Sequence, residues 1–171
     1  MTFFKTLFNF FLFTLLFINI LSAEDSIKFD TNIEAPFKVN ADSMFIDKVS
    51  LEGGLSGSVN INQGPLDFKS DQMSFNFTDD EEMPIITNLF ASQNVVISNE
   101  DMTASGNNAS YSVKKNEILL EGNVVVKNNF TTINGEKLFI DLETGKINFL
   151  SDDKQNNRIR GQLLEDDKKQ K

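Results

Sequence analysis

The protein has 171 residues, 40% of them hydrophobic, which is enough for one domain with its own core. It carries 16 basic and 25 acidic side chains, a formal net charge of -9, and no basic cluster that would follow a phosphate backbone, so nucleic acid is not an expected partner. Because there is no His and no Cys, Ser-His and Cys-His nucleophiles, imidazole or thiolate metal sites, and disulfides are excluded. The enzyme chemistry left open is that of paired carboxylates in a cleft.

The first 23 residues have the features of a secretory signal. A single basic residue, Lys5, precedes an apolar run that extends to Leu21, and the small residue Ala23 follows at the expected cleavage position. We therefore predict a signal peptide over residues 1–23 and export of the rest. The alternative is an uncleaved membrane anchor, because the 19 mostly apolar residues from 3 to 21 approach the roughly 20 that a spanning helix needs.

The next part of the chain, residues 24–153, is predicted to be a single domain built from a repeat of 29 residues. Similar segments begin at Gly57, Gln93 and Gly122, which are 36 and 29 residues apart, and a less similar unit precedes them. The seven extra residues of the longer interval lie between Phe77 and Leu89, where Asp79–Pro84 supplies an acidic, Pro-containing loop. An insertion confined to one turn is what a stacked repeat tolerates.

Within each unit, apolar and polar residues alternate, which predicts β-strands that bury one face. The apolar positions correspond between units, as Val59, Val95 and Val124 do. The alternation then changes parity at one place in every unit, which predicts a recurring β-bulge or corner. This parity change falls at the equivalent residues Asp42, Asp71, Asn107 and Glu136.

Turn-forming residues separate about twelve or more short antiparallel strands. Gly64-Pro65 and Asn128-Asn129 are typical of one set of turns, and Gly145 of the other. After Ala23 no segment has a helical period, so no helical layer would cover the apolar face. The sheet is expected to curl on itself or to pack on a second sheet, as in a jelly roll, sandwich or solenoid, and to leave open edges.

The last residues, 154–171, are predicted to form a polar C-terminal tail. Within it, Arg158–Arg160 is the expected site of a last edge strand. Residues 165–171 are charged or amide-bearing, which is typical of disorder.

Five short segments follow one another in a specific order behind the signal sequence: Pro36–Asp42, Gly57–Gly64, Ala109–Tyr111, Leu119–Val124 and Gly135–Asp141. Together they resemble the OstA-like family of lipopolysaccharide-transport domains, which includes periplasmic LptA proteins, membrane-anchored LptC proteins and the N-terminal domains of outer-membrane LptD proteins. The resemblance covers roughly residues 33–150. It implies an all-β fold, a twisted, open-ended antiparallel β-jelly roll built from repeated hairpin units. One departure is Gln93, where the family pattern has Gly.

The resemblance also implies a function. It implies a periplasmic, non-enzymatic protein without a cofactor, which binds lipopolysaccharide and bridges inner-membrane and outer-membrane transport machinery. The acyl chains of lipid A would lie in the apolar interior, and LptC-like and LptD-like proteins would pair with the edge strands. Head-to-tail association of identical chains is a further expectation. The interior residues that the resemblance implies as groove lining are Val39, Met44, Ile46, Val59, Ile61, Phe68, Met73, Phe75, Phe77, Val95, Ile97, Tyr111, Val124, Val126, Leu138 and Ile140.

The residues themselves leave alternatives open. Alternation alone predicts an ordinary packed core at the same positions, and Tyr111 is interpreted as a half-buried strand aromatic. A membrane-anchored LptC-like component, a structural β-solenoid and a polysaccharide-acting enzyme with Asp or Glu groups are the other functions. The stretch Asp79–Glu82 is interpreted as a solvated hairpin tip, because it lacks the ligand spacing and the glycine of a calcium loop.

Overall fold

The computed structural model describes residues 29, 32, 34–80, 84–150 and 159–163. The predicted signal peptide and residues 164–171 lie outside the described residues. The chain forms ten strands and, at Val113–Lys115, one short 3-10 turn among these residues. The strands are β1 Phe37–Asn40, β2 Ser43–Asp47, β3 Glu52–Gln63, β4 Leu66–Phe77, β5 Ile86–Ser98, β6 Met102–Ser112, β7 Glu117–Asn128, β8 Thr131–Asp141, β9 Ile147–Leu150 and β10 Arg160–Leu163.

All ten strands belong to one antiparallel sheet. Strands β3 to β8 follow one another in chain order, each joined to the next as a hairpin. At one end both β1 and β2 pair with β3, and at the other end both β9 and β10 pair with β8. The sheet therefore has two unclosed ends, and the expected open-ended antiparallel jelly roll is confirmed.

Each of the six long strands, β3 to β8, bends near its middle, where the pairing register shifts. The bend divides the sheet into two layers that enclose the core. Layer A contains β2, β9 and residues 52–56, 72–77, 86–92, 108–112, 117–121 and 137–141. Layer B contains β1, β10 and residues 59–63, 66–70, 95–98, 102–106, 124–128 and 131–135. Because each long strand runs through both layers, six continuous strands supply twelve strand halves, which accounts for the larger number of short strands expected from the sequence.

The bends of β3, β5 and β7 have the same backbone form. Each consists of two successive residues with positive φ: 76° and 46° at Gly57-Ser58, 64° and 53° at Gln93-Asn94, and 77° and 52° at Gly122-Asn123. Positive φ is easy for Gly and unfavourable for most other residues. Gln93 therefore adopts the same backbone as its glycine counterparts, and the recurring corner predicted from the parity change is confirmed.

The polar residues at the parity change pack against these corners. Asp71 accepts a hydrogen bond from Asn94 Nδ2 at 2.6 Å. The side chains of Asp42 and Asn107 lie so close to Gly57 and Gly122 that a Cβ at either glycine would collide with them. These side chains are parts of a repeated structural corner.

The core consists of the inward residues of both layers. Most side chains that the sequence predicts to face inward are buried, and Val59, Val95 and Val124 are each 1% exposed. Ile133 and Val113, which the same alternation directs inward, are only partly buried because they lie near the ends of the sheet and of β6. The interior is thus filled along most of its length.

The end of the sheet formed by β9 and β10 differs in detail from the sequence expectation. Residues 160–163, in the segment predicted as a polar tail, pair with β8 residues 131–134. The strand begins two residues later than the Arg158–Arg160 segment predicted for it. In a polar edge strand the apolar alternation that marks the other strands is weak, so its bounds are difficult to predict. Residues 151–158 lie outside the described residues.

Candidate functional site

An open cavity of about 770 Å³ lies between the two layers at the end of the sheet formed by β1 and β2. This volume is within the range of about 300–1,000 Å³ that is typical of ligand pockets. Both layers contribute mainly apolar side chains, and the rim is polar. The lining residues are Val39, Met44, Ile46, Lys48, Leu51, Leu55, Ile61, Phe75, Phe77, Thr78, Asp79, Asp80, Pro84, Ile86 and Leu89.

The walls of the cavity next to β1 and β2 present apolar side chains to solvent. Met44 is 62% exposed, Ile46 55% and Val39 43%, whereas Leu55, the partner of Met44 on the neighbouring strand β3, is buried. Neighbouring apolar side chains that line a concave surface and remain exposed mark an interaction site rather than a core. The apolar faces of β1 and β2 are therefore available to a ligand.

Phe75 forms part of the floor of the cavity. Its ring occupies the space above Gly53, where a Cβ would collide with it, and Phe77 lies beside it with ring centroids 6.2 Å apart. Phe75 is only 8% exposed, so most of the ring is already packed in the free protein. Gly53 is thus required for the close approach of this ring to the backbone of β3.

Tyr111 separates the open cavity from the closed part of the interior. It lies in layer A, and its hydroxyl donates a hydrogen bond to Gln63 Oε1 of layer B at 3.3 Å. Phe37 of β1 meets the Tyr111 ring edge to face at 6.4 Å. Tyr111 is 1% exposed, and this burial raises the pKa of its phenol. Its interpretation as a half-buried aromatic is therefore wrong, because partners from the opposite layer cover it.

Beyond Tyr111 the interior is closed by a residue that precedes the first strand. Phe29 is fully buried and its N–H donates a hydrogen bond to the Gly145 carbonyl, next to β9, at 2.7 Å. Asn32 lies against Gly64, in the turn between β3 and β4. The chain before β1 therefore touches layer A at one point and layer B at another.

The sixteen residues predicted to line a groove fall into two sets. Six line the open cavity: Val39, Met44, Ile46, Ile61, Phe75 and Phe77. The other ten are buried in the core away from it: Val59, Phe68, Met73, Val95, Ile97, Tyr111, Val124, Val126, Leu138 and Ile140. Periodicity gives both sets the same inward orientation, so it does not distinguish them.

Several lining residues were not predicted. Leu51 and the acidic pair Asp79-Asp80 come from turns at the β1–β2 end of the cavity, and Ile86 is the first residue of β5. The seven-residue insertion in the repeat was the available signal, since it places extra chain beside this cavity. Among the described residues no group of three or more acidic side chains is placed to hold a metal ion, while residues 81–83 of the acidic stretch lie outside that set.

An open-ended β-jelly roll with an apolar cavity between its layers defines a class of proteins suited to binding amphiphiles. The chain matches the family model described as LptA/(LptD N-terminal domain) LPS transport protein over residues 38–146. The match covers more than half of the sequence, so the chain belongs to this family of lipopolysaccharide-transport proteins, as the sequence resemblance predicted.

A solved structure has the same fold. It is LptH from Pseudomonas aeruginosa, described as the LptA-homologous periplasmic component of the conserved lipopolysaccharide transport device. The two chains are 19% identical, with a TM-score of 0.65, and the similarity covers 80% of this chain and 99% of LptH. No curated protein matches the chain in sequence. In the portion of the chain that the structure describes, no helix has the length and apolar character needed to cross a bilayer.

Proposed function

We propose that the protein carries lipopolysaccharide across the periplasm and holds the acyl chains of the lipid in the cavity beside β1 and β2. The observation that carries this proposal is the set of exposed apolar side chains, Val39, Met44 and Ile46, that lines a cavity of about 770 Å³. Family membership supplies the lipid class, and the cavity supplies the place where it would bind.

The physical reason for such a carrier is the cost of exposing hydrocarbon to water. Each methylene group that leaves an apolar environment costs about 0.8 kcal/mol, so an amphiphile with several acyl chains does not cross an aqueous compartment alone. An apolar cavity between two β-layers removes most of that cost. No covalent bond changes in this process, so the function requires no catalytic group and no cofactor.

The charge of the rim supports binding through the tails rather than the headgroup. Asp79 and Asp80 lie at the rim with Lys48 as the single basic lining residue, and the whole chain has a net charge of -9. Phosphorylated sugars would meet a predominantly acidic surface there. We therefore expect that lipid affinity does not fall as salt is added, since apolar contacts are not screened by ions and repulsion of the headgroup by the rim is.

The two ends of the sheet support a role in a continuous bridge. Strands β1 and β2 end the sheet on one side and β9 and β10 on the other, so both sides present unpaired backbone groups of layers A and B. Pairing of these edges with LptC-like and LptD-like domains, or head to tail with identical chains, would extend the sheet through β-augmentation. The apolar interior of one domain would then adjoin that of the next at the paired edges.

Native mass spectrometry of the exported protein tests lipid binding. We expect a protein mass increased by one lipopolysaccharide molecule, and a mature chain that lacks residues 1–23. Failure to detect bound lipid after incubation with purified lipopolysaccharide would contradict the carrier function. A mass that includes residues 1–23 would instead contradict cleavage and favour the anchored form.

The absence of cysteine from the sequence makes edge pairing testable by crosslinking. Two single variants, Ser43→Cys in β2 and Asn148→Cys in β9, place one thiol at each end of layer A. If chains associate head to tail, the mixture of the two forms disulfide dimers more efficiently than either variant alone. Equal or absent crosslinking in all three samples would contradict self-association through these edges.

A further inference from the structure

The outer face of layer A carries a narrow cross-strand row, here called the apolar row, in which large apolar side chains stand among small or polar residues and which the lipid cavity does not use. Strand register aligns the members of this row across β2 to β9. Phe45 is 62% exposed and Phe90 47% exposed, although both lie on regular strands. The row consists of Phe45, Gly54, Ser74, Phe90, Ser110, Leu119, Phe139 and Asn148.

Small residues between the large ones produce two shallow depressions along this row. The first, of about 640 Å³, lies between Phe45, whose ring packs over Gly54, and Phe90, and it extends over the adjoining polar row toward the corner. The second, of about 280 Å³, lies between Phe90 and Phe139. From β2 to β8 the row crosses six strand spacings of about 4.8 Å, which is about 29 Å in length.

Polar rows flank the apolar row on both sides. Toward the corner, the neighbouring cross-strand row begins with Ser43, Ser56, Gln72, Ser92 and Asn108. It continues with the ion pair between Glu121 and Lys137, whose charged atoms are 2.8 Å apart, and ends at the half-exposed Leu150 of β9, its one apolar member. The row on the other side is made of hydroxyl, amide and carboxylate side chains: Asp47, Glu52, Asn76, Asn88, Ser112, Glu117 and Asp141.

We propose that this outer face binds a free, uncharged, unbranched glycan strand that lies along the row and across the β-strands. The C–H faces of sugar rings pack on aromatic side chains, while their hydroxyl groups need donors and acceptors on either side. One apolar row between two polar rows supplies both. The strand spacing of about 4.8 Å is close to the length of one sugar in an extended glycan, so about six sugars would span the row.

The charges around the row determine which glycan fits. The one basic side chain in the flanking rows, Lys137, is paired with Glu121, and the other charged members are carboxylates. Phosphorylated or acidic sugars would therefore be repelled. To reach this face, the sugars of a lipid held in the cavity would have to pass the carboxylates of Asp47 and Glu52, which lie in the flanking row at the β2 end of the layer. A glycan that is not part of the bound lipid is therefore the better occupant.

The width of the apolar row favours a glycan over a protein partner. Adjacent rows on one face of a strand are separated by two residues, about 6.8 Å, so the apolar strip is one side chain wide. Protein interfaces have a broader apolar core surrounded by a polar rim. A strip of this width fits one sugar chain more closely than the side chains of a second protein surface.

Titration of the full exported protein with cellohexaose and with chitohexaose, followed by amide signals in NMR spectra, tests the proposal. At least one of these uncharged hexasaccharides should shift the amides of residues around Phe90, and hexagalacturonate should not. Phe90→Ser and, as a second variant, Phe45→Ser should each weaken the affinity at least tenfold. Phe130→Ser, which changes a Phe that is 65% exposed in the turn between β7 and β8, is the control and should bind as the wild type does.

The outcomes separate this site from the lipid cavity. Phe90→Ser should load lipopolysaccharide as well as the wild type, so loss of glycan binding with intact lipid loading supports the proposal. It is overturned if neither hexasaccharide shifts these amides, or if hexagalacturonate shifts them equally. It is also overturned if Phe90→Ser abolishes dimerisation or partner binding while no glycan binds, because the face would then be a protein interface.

Discussion

The substitution Ile46→Asp tests whether the cavity beside β1 and β2 binds acyl chains. Ile46 lines this cavity and is 55% exposed, so its side chain contributes little to the packing of the free protein. Replacement of such a surface residue usually changes the free energy of unfolding by less than about 0.5 kcal/mol. The substitution is therefore expected to act on lipid binding and to leave the fold intact.

The size of the effect follows from the exposure of the side chain. Full burial of an Ile side chain is worth about 1.5–3 kcal/mol, and lipid would cover roughly half of that surface here, about 1–1.5 kcal/mol. An Asp at this position would in addition lose hydration beside hydrocarbon, which costs about 1–3 kcal/mol even with partial compensation. The binding free energy should weaken by about 2–4 kcal/mol, which corresponds to a thirty-fold or larger increase in Kd.

Displacement of an apolar fluorescent dye by purified lipopolysaccharide measures this Kd. The matched control is Val49→Asp, which introduces the same charge three residues away, at a side chain that is 96% exposed in the turn between β2 and β3 and does not line the cavity. The control should bind lipid within about twofold of the wild type, because a charge at a solvated position has little effect on an apolar site.

The two variants together decide the question. If Ile46→Asp binds lipopolysaccharide as tightly as the wild type, acyl chains do not occupy this cavity. If both variants lose affinity to the same extent, the effect comes from net charge rather than from the cavity, and the reasoning is refuted in that case as well.

Three further predictions concern stability and titration. Gln93→Gly should stabilise the protein by about 0.5–1 kcal/mol, because φ at residue 93 is 64°, a value that Gly adopts more easily than Gln. The Tm measured by calorimetry should rise by roughly 1–4 °C. An unchanged or lower Tm would contradict backbone strain at this corner. Tyr111→Phe should destabilise by about 1–2 kcal/mol in urea unfolding, because buried Gln63 loses a donor; no change would show that the bond is not formed. Tyr111 is the single Tyr of the sequence and its pKa is raised by burial, so phenolate absorbance should appear only above pH 10. The free energy of unfolding should fall as the pH rises from 10 through the pKa of the folded protein. Titration of the phenol at or below pH 10 would contradict its burial.

At low pH the prediction concerns Asp141, whose pKa is lowered in the folded protein, whereas that of Tyr111 is raised. Hydrogen bonds from the Thr144 hydroxyl, the Thr144 N–H and the Glu143 N–H lower the pKa of Asp141 below its ordinary value of 3.8. The stability from these bonds is fully present above pH 3.8 and is lost as the pH falls through the folded pKa. Asp141→Ala should therefore reduce the dependence of the Tm on pH below 3.8, and an unchanged acid profile would contradict this.

The corners were predictable because they leave a mark in the sequence. The alternation of apolar and polar residues changes parity at Asp71 and Asn107, at the same place in each repeat. A β-bulge causes such a change because it inserts an extra residue into the strand, and this effect is local to the sequence. The departure at Gln93 was visible as well. Its consequence was not, because a sequence does not show that the structure holds a non-glycine residue at positive φ there.

The boundary between cavity and core was not predictable. Met44 and Leu138 have the same inward orientation, yet one is 62% exposed and the other fully buried. The difference depends on what covers each position: Phe29 and the contact between Tyr111 and Gln63 close one part of the interior, and no described residue covers Met44 to the same degree. Such contacts join residues far apart in the chain, and alternation carries no information about them.

The most direct test of acyl-chain binding in the cavity is photocrosslinking from two neighbouring positions of β2. Met44 faces the cavity, Phe45 faces the opposite side of the layer, and both are 62% exposed. With benzoylphenylalanine at one position at a time, lipopolysaccharide should be crosslinked from position 44 and not from position 45. Equal crosslinking from both positions, or crosslinking from position 45 alone, would contradict a lipid-binding cavity between the two layers.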